Sequence, residues 1–172
     1  MSPVWVNESG LQFGPFDAND IFEPERSPGI AALGKGISKV EFILHSKNKA
    51  AHIVTLLEAK STIPRETDVF FADIKAKMMH SLTLWALAIA GRQNAIYQQL
   101  PKQLKRPSDL KQTLQLILVI PPMPDHALVG ATEKFRKMMQ PEIRLWSIPE
   151  QYVKVLNTKR VQAMGLTPQF GN

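Results

Sequence analysis

The sequence predicts an α/β fold: one mixed β-sheet flanked by α-helices, in a single domain spanning residues 1–172. Three observations predict it. The 172 residues are 44% hydrophobic, the length and apolar content of one ordinary globular domain. Two apolar, β-branched runs, Lys39–His45 and His52–Ser61, flank a short polar stretch and read as a hairpin. Beyond them a helical period alternates with further apolar strands, the pattern of a sheet covered by helices.

In chain order, residues 1–38 read as an irregular or short-stranded segment. Gly10, Gly14 and Pro15 break it up, while Phe13, Phe16 and Phe22 would pin it to the body. Pro24 and Pro28 interrupt any helix there. Residues 39–61 form the hairpin, with Ser46-Lys47-Asn48-Lys49 as its turn. Asp68 to Arg92 is a long helix, since Ile74, Met78, Leu82, Trp85 and Ile89 recur at three- and four-residue spacing. Pro101 to Ser108 is a basic connection, and Leu114–Ile120 a strand stopped by Pro121-Pro122. Asp125 would cap a helix running to Met139, and Glu142–Ile148 reads as a short strand. The tail admits two readings. One is a helix from Pro149; the other is a strand Val153–Leu156 followed by a helix that Asn157 caps. Gly165 suits the C-cap in both.

Composition removes whole classes of chemistry. With no cysteine there is no thiol nucleophile, iron–sulfur cluster, cysteine-bound zinc or disulfide, which fits a reducing compartment. The N-terminal residues lack the basic and apolar stretches of a signal peptide, and the most apolar run, Met78–Gly91, is too short to cross a bilayer. A cytoplasmic protein without membrane contact is the expectation. Charge is unevenly spread. Residues 1–25 hold Glu8, Asp17, Asp20, Glu23 and Glu25 and no base, whereas from Arg65 onward 15 basic residues face 8 acidic ones. An acidic pocket beside a basic body suits a metal site acting on a polyanion; a solvated surface is the ordinary alternative.

Familiar motifs fail on spacing. In Gly29-Ile-Ala-Ala-Leu-Gly34-Lys35-Gly36, Gly36 stands where a phosphate loop needs a hydroxyl. His45, His52, His80 and His126 show no ligand spacing, and no Gly-x-Ser-x-Gly elbow exists. Glu58-Ala59-Lys60 remains. With 15 acids and 14 Lys, about one acid two residues before a Lys arises by chance. Asp73–Lys75 and Asp109–Lys111 have the same spacing, but only Glu58 and Lys60 end an apolar strand, whose period puts both on one face. An ion pair at a strand end is the ordinary reading. Glu41, however, interrupts the preceding strand between Val40 and Phe42, where a carboxylate is costly unless paired or bound to a cation. Two acids in adjacent arms can converge on one hard cation, provided Glu41 lies opposite an even-numbered residue such as Leu56 or Glu58.

An acid in a strand, a hairpin turn, then Glu58-Ala59-Lys60-Ser61 and a long helix resembles the PD-(D/E)XK nuclease superfamily, the restriction-endonuclease-like fold. Phe22-Glu-Pro-Glu-Arg-Ser27, Leu33-Gly-Lys-Gly36, Val40-Glu-Phe-Ile-Leu44 and Leu57-Glu-Ala-Lys-Ser61 look especially like small bacterial members. The resemblance implies a metal-dependent nuclease, cleaving DNA rather than RNA. It makes Glu41 and Glu58 the acids that, with the Ala59 carbonyl, hold Mg2+ or Mn2+, and Lys60 the catalytic lysine. Glu25 matches an upstream acid placed near the metal, and Lys77 a polar residue supplied by the following helix. The family usually has Asp after Pro where this chain has Glu41 after Val40. The alternative is therefore a catalytically inactive nuclease-like module binding nucleic acid or a partner protein. Lys77 equally reads as a helix ion pair with Asp73. Lys102, Lys105, Arg106 and Lys111 could grip a phosphate backbone or form a solvated loop, and a homodimer is an allowed assembly.

Overall fold

The computed structural model describes residues 2–168. The N-terminal segment is more regular than its Gly and Pro content implies. β1 (Val4–Glu8) and β2 (Leu11–Phe16) form a hairpin turning at Ser9 and Gly10, both at positive φ (51° and 80°), the backbone that matches the twist of paired strands. β3 (Ile21–Phe22) joins the main sheet. Pro24 and Pro28 then each open a short helix, a 3-10 turn over Pro24–Arg26 and α1 (Pro28–Ala31). The preset φ of proline and its missing N–H suit the first helical position, so these residues start helices instead of only interrupting one.

The main sheet has five strands in the order β3, β4 (Phe42–Asn48), β5 (Ala51–Ala59), β6 (Thr113–Val119), β7 (Val153–Leu156). β3, β4 and β5 pair antiparallel, and β5, β6 and β7 pair parallel. Parallel neighbours require crossovers. α2 (Thr67–Ile89) links β5 to β6, and α4 (Asp125–Met138) links β6 to β7. α3 (Asn94–Gln99) and two 3-10 turns, Lys102–Leu104 and Pro107–Lys111, fill the connection before β6. Among the described residues no helix is long and apolar enough to cross a membrane.

β4 is displaced from its expected position. It begins at Phe42 and continues through Ser46, Lys47 and Asn48, with the turn confined to Lys49 and Ala50. Two α2 side chains explain the late start: His80 Nδ1 accepts from the Ser38 N–H (2.9 Å) and Ser81 Oγ from the Val40 N–H (3.0 Å), which takes these donors from the ladder. The late end has a different cause, because polar side chains at an exposed strand end do not break backbone pairing.

The faces of the sheet are covered unequally. Ile43, Val54, Leu56, Leu116 and Leu118 pack against helices α2 to α4. Phe42, Leu57, Ala59, Ile117 and Val119 pack instead against Val6 and Phe13 of the hairpin and Val161 of α6 (Thr158–Ala163). The expectation of helices on both faces is thus corrected: a two-stranded hairpin covers much of the second face. The strand expected at Glu142–Ile148 is a helix, α5 (Gln140–Leu145). Pro141 opens it, and Ile143 and Ile148 both enter the core, which an odd separation along one strand forbids.

Of the two readings of the tail, the structure has the strand and capped helix. Asn157 Oδ1 accepts from the Arg160 N–H (3.0 Å). Its Nδ2 donates to Met123 O (2.9 Å) and Asp125 Oδ1 (2.8 Å). Asp125 is consequently the first residue of α4 and not its cap. Because Asn157 ties the ends of two helices together, Asn157→Ala should destabilise the protein by about 1–2 kcal/mol. Urea unfolding would measure this, and a loss below a few tenths would show the bonds to be dispensable.

Candidate metal centre

Along β5 the even-numbered side chains turn toward α2. Val54 and Leu56 enter the helix-side core, so the strand period carries Glu58 to the same side. Lys60 follows, its N–H held by Val119 O (2.8 Å). Glu58 is completely buried. Its Oε1 accepts from Lys77 Nζ at 2.8 Å and lies 3.4 Å from Lys60 Nζ. Lys60 Nζ is also 3.8 Å from Asp73 Oδ2. Asp73 and Lys77 sit four residues apart on α2 and so share a face. Lys77 spends its hydrogen bond on Glu58 and not on Asp73.

The hairpin register decides whether Glu41 joins them. Phe42 pairs with Leu57, but the Glu41 N–H also donates to Leu57 O (3.0 Å), so the ladder bulges here with two residues against one and the expected alignment of Glu41 with an even-numbered residue is not met. Glu58 lies on the helix side, and Glu41, at the bulge, is close enough for Glu58 and Lys77 to act on its charge. Ala59 lies between Glu58 and Lys60 with its methyl in the opposite core, leaving only its backbone to the site. Glu25, in the 3-10 turn after β3, and Glu8, the last residue of β1, complete the group. Glu8, Glu25 and Glu41 each offer an oxygen within 4.8 Å of the others.

Burial and like charge govern the protonation of the site. Glu41 is pushed up to about 8, first by burial and then by Glu58, Glu8 and Glu25, against a lowering by Lys77. Burial also raises Glu58, opposed by the hydrogen bond and charge of Lys77 and by Lys60. Burial alone would lower the Lys77 ammonium, but Glu58 and Asp73 carry it above the usual range. The second Glu58 oxygen, Oε2, is buried without a hydrogen-bond partner. A fully buried carboxylate oxygen without a donor is costly, and a cation would satisfy it. An all-oxygen donor set of this kind fits a hard divalent ion such as Mg2+ or Mn2+.

Of the residues expected at the site, Glu25, Glu41, Glu58, Lys60 and Lys77 are brought together at one end of the sheet. The basic connection is not. Thr113, which follows it, pairs with Ile53, whereas Val119 pairs with Ala59 at the carboxylate end, about 20 Å away at ~3.3 Å per strand residue. Arg106 is bonded to buried Asp109 (3.1 Å), and Lys105 lies 5.0 Å over the Tyr97 ring; Lys102 and Lys111 are exposed. Glu8 is the member that sequence reasoning missed. Its one signal was membership in an acid-rich, base-free stretch.

Comparison of the chain with models of known families, with curated proteins and with solved structures finds no match in any of the three. The geometry stands by itself. A cavity of about 590 Å3 opens on the opposite face of the sheet, lined by Asp17, Asp20, Thr55, Gln115 and Lys154 among others, and touches none of Glu8, Glu25, Glu41 and Glu58. His45 and His52 bond to each other (2.9 Å) with Asp20 behind His45 (3.0 Å) on the hairpin.

Two outcomes follow from the charges. Lys77→Ala should destabilise the fold by about 3 kcal/mol, since it removes the closer partner of a buried carboxylate. Lys60, which is 30% exposed, should cost less than about 1 kcal/mol on the same change. Equal losses in denaturant melts would contradict this ranking. An acid with a raised pKa holds its proton more tightly in the folded state. In chelator, the favourable Glu41 contribution should thus be complete below 4.5 and be lost as the pH climbs through about 8. Melting curves of Glu41→Gln should fall less than those of wild type across that window; parallel curves would place Glu41 in water.

Proposed function

We propose that this protein is a metal-dependent nuclease of the PD-(D/E)XK type that hydrolyses phosphodiester bonds in DNA. One observation carries the reading: Glu58 is fully buried at the end of β5, beside Lys60 and Lys77 and near enough to Glu41 to raise its pKa, with one oxygen lacking a donor. An antiparallel hairpin bearing the acids, a long helix and a parallel strand agree with the restriction-endonuclease-like fold that the sequence resembles. The Lys75–Glu142 pair also leaves a buried oxygen, Glu142 Oε2, without a partner, and the second lysine beside Glu58 is what sets this group apart.

Glu41, Glu58 and the Ala59 carbonyl would hold the ion. Bound there, Mg2+ or Mn2+ supplies Lewis acidity toward a phosphate oxygen and lowers the pKa of water. The remaining functions belong to the chain. Lys77 holds Glu58 Oε1, fixing the carboxylate and favouring its ionised form, which makes it a positioning residue. Lys60, partly exposed and steadied by Glu58 and Asp73, offers its ammonium to the charge that builds on phosphorus and orients the attacking water. The segments leading into β4 and out of β5 border the centre. They carry Lys35, Lys39 and Arg65, and on this reading these bases, more than Lys102 or Lys111, would meet a phosphate backbone.

The elevated Glu41 favours a second reading. A carboxyl pushed up to about 8 is largely protonated at neutral pH when no cation is bound, as suits an inactive nuclease-like module that binds nucleic acid or a partner protein. Incubation of plasmid, single-stranded DNA and RNA with Mg2+, Mn2+ or chelator separates the two. The nuclease should cleave DNA with metal and not with chelator. Glu58→Ala should abolish cleavage, and Lys60→Ala should retain metal binding while slowing turnover by about 10²–10³. Inert wild type and inert Glu41→Asp on every substrate, with no metal uptake by calorimetry, would leave the binding module.

A further inference from the structure

We infer that the cavity on the hairpin side of the sheet binds a small organic anion that also carries an amide-type hydrogen-bonding group, with Lys154 taking the acid and Thr55 and Gln115 the neutral part. The site is separate from the carboxylate centre, and it stands whether or not that centre cleaves DNA.

On this face the odd-numbered side chains of β5 and β6 turn toward the hairpin. Leu57, Ala59, Ile117 and Val119 form the apolar surface beneath it. One strand repeat earlier the same face carries Thr55 and Gln115, which pair in register and are each only 4% exposed. Central parallel strands covered on both sides ordinarily read as continuous apolar runs, so two adjacent polar side chains at such depth need partners. Among the described residues neither side chain makes a hydrogen bond. Neither has a polar atom sealed from solvent as Glu58 Oε2 is, so the hydroxyl and the amide open into the cavity that both line, about 590 Å3 in volume. Clefts of roughly 300–1,000 Å3 enclose small ligands.

Charge selects the ligand. Val153 and Val155 turn to the helix side, so Lys154 between them turns to the cavity, opposite Ile117 and two residues along from Gln115. Its Nζ lies 5.9 Å from the centre of the Tyr152 ring and, among the described residues, pairs with no acid. Burial, and then the charge of Arg136, hold this ammonium below its usual range; an anion would offset both. The acids on the cavity wall are engaged elsewhere, Asp17 with the Asn19 N–H (2.8 Å) and Asp20 with His45 (3.0 Å). They lie beside β3 and β4, at least three strand spacings from β7, or roughly 14 Å. Gln115 presents a donor and an acceptor together, which suits an amide or the edge of a nucleobase.

Amide NMR titration of the full chain in chelator, with uridine monophosphate and N-acetylglutamate as probes, tests this. At least one should bind with a Kd below about 1 mM and shift the signals of Thr55, Gln115 and Lys154, and uridine, which lacks the acid, should bind tenfold or more weakly. A response to the first probe alone identifies a phosphate ligand, and to the second alone a carboxylate. Lys154→Met and Gln115→Met, which keep the side-chain length, should each weaken binding tenfold or more, whereas Lys137→Met, at an exposed lysine on α4, should bind as wild type does. Without probe, Thr55→Val and Gln115→Met should melt no lower than wild type, because each removes a buried polar group that has no protein partner. Three results would each overturn the site: no saturable shift with either probe, which leaves a water-filled cavity; undiminished binding in Lys154→Met; or a lowered melting temperature in both Thr55→Val and Gln115→Met, which assigns those side chains to the fold.

Discussion

The burial of one carboxylate, Glu58, organises this molecule. A charged acid with no solvent contact needs close cationic partners, and only α2 can bring Lys77 there. The crossover helix must return over β5 with Asp73 and Lys77 facing the strand, which they do as residues four apart on one face. Lys60 supplies a second, weaker partner from the strand itself. The same arrangement that makes the buried acid tolerable leaves one of its oxygens unused. Structural necessity and candidate chemistry are two aspects of a single constraint.

A second constraint is parity. Leu57 and Ala59 lie under the hairpin, so Glu58, between them, must lie on the helix side, whereas Glu41 sits at a bulge where Val40 packs toward the helices and Phe42 toward the hairpin. Sliding the β4–β5 register by one residue would turn Phe42 away from the hairpin and undo the apolar contacts that hold it in place. Core packing therefore protects the alignment of the site. The acids collect where the sheet ends, because strand ends are where side chains from both layers can meet without crossing the backbone.

Much of the site was legible from local pattern. A strand of Ile-Val-Thr-Leu-Leu running into Glu58-Ala59-Lys60 orients both charges by its two-residue period, whereas Glu41, expected within the preceding strand, sits just before it at a bulge. The long helix was legible from its periodic core positions, and Lys77 from its place on it. Other features were not. α5 was misread as a strand because Ile143, Leu145 and Ile148 suit either structure in a window too short to show a period. The start of β4 depended on two side chains of α2, forty residues away, that take the strand's N–H groups. Lys102, Lys105, Arg106 and Lys111 looked like a single patch in sequence, yet their connection enters β6 at the end remote from the acids.

What the sequence by itself determined is whatever depends on repeat distance along the backbone: the identity of most strands and helices, the shared face of Glu58 and Lys60, and the capping of α6 by Asn157. The tertiary structure alone decided which distant groups share space. It brought Glu8 and Glu25 to Glu41, chose Glu58 over Asp73 as the partner of Lys77, and put a hairpin where a helical layer was expected. The physical reason is that side-chain direction follows from local geometry, whereas proximity across layers follows from how apolar faces such as Phe13, Phe16 and Phe42 pack together. Many sequences satisfy such packing, and no local spacing encodes it.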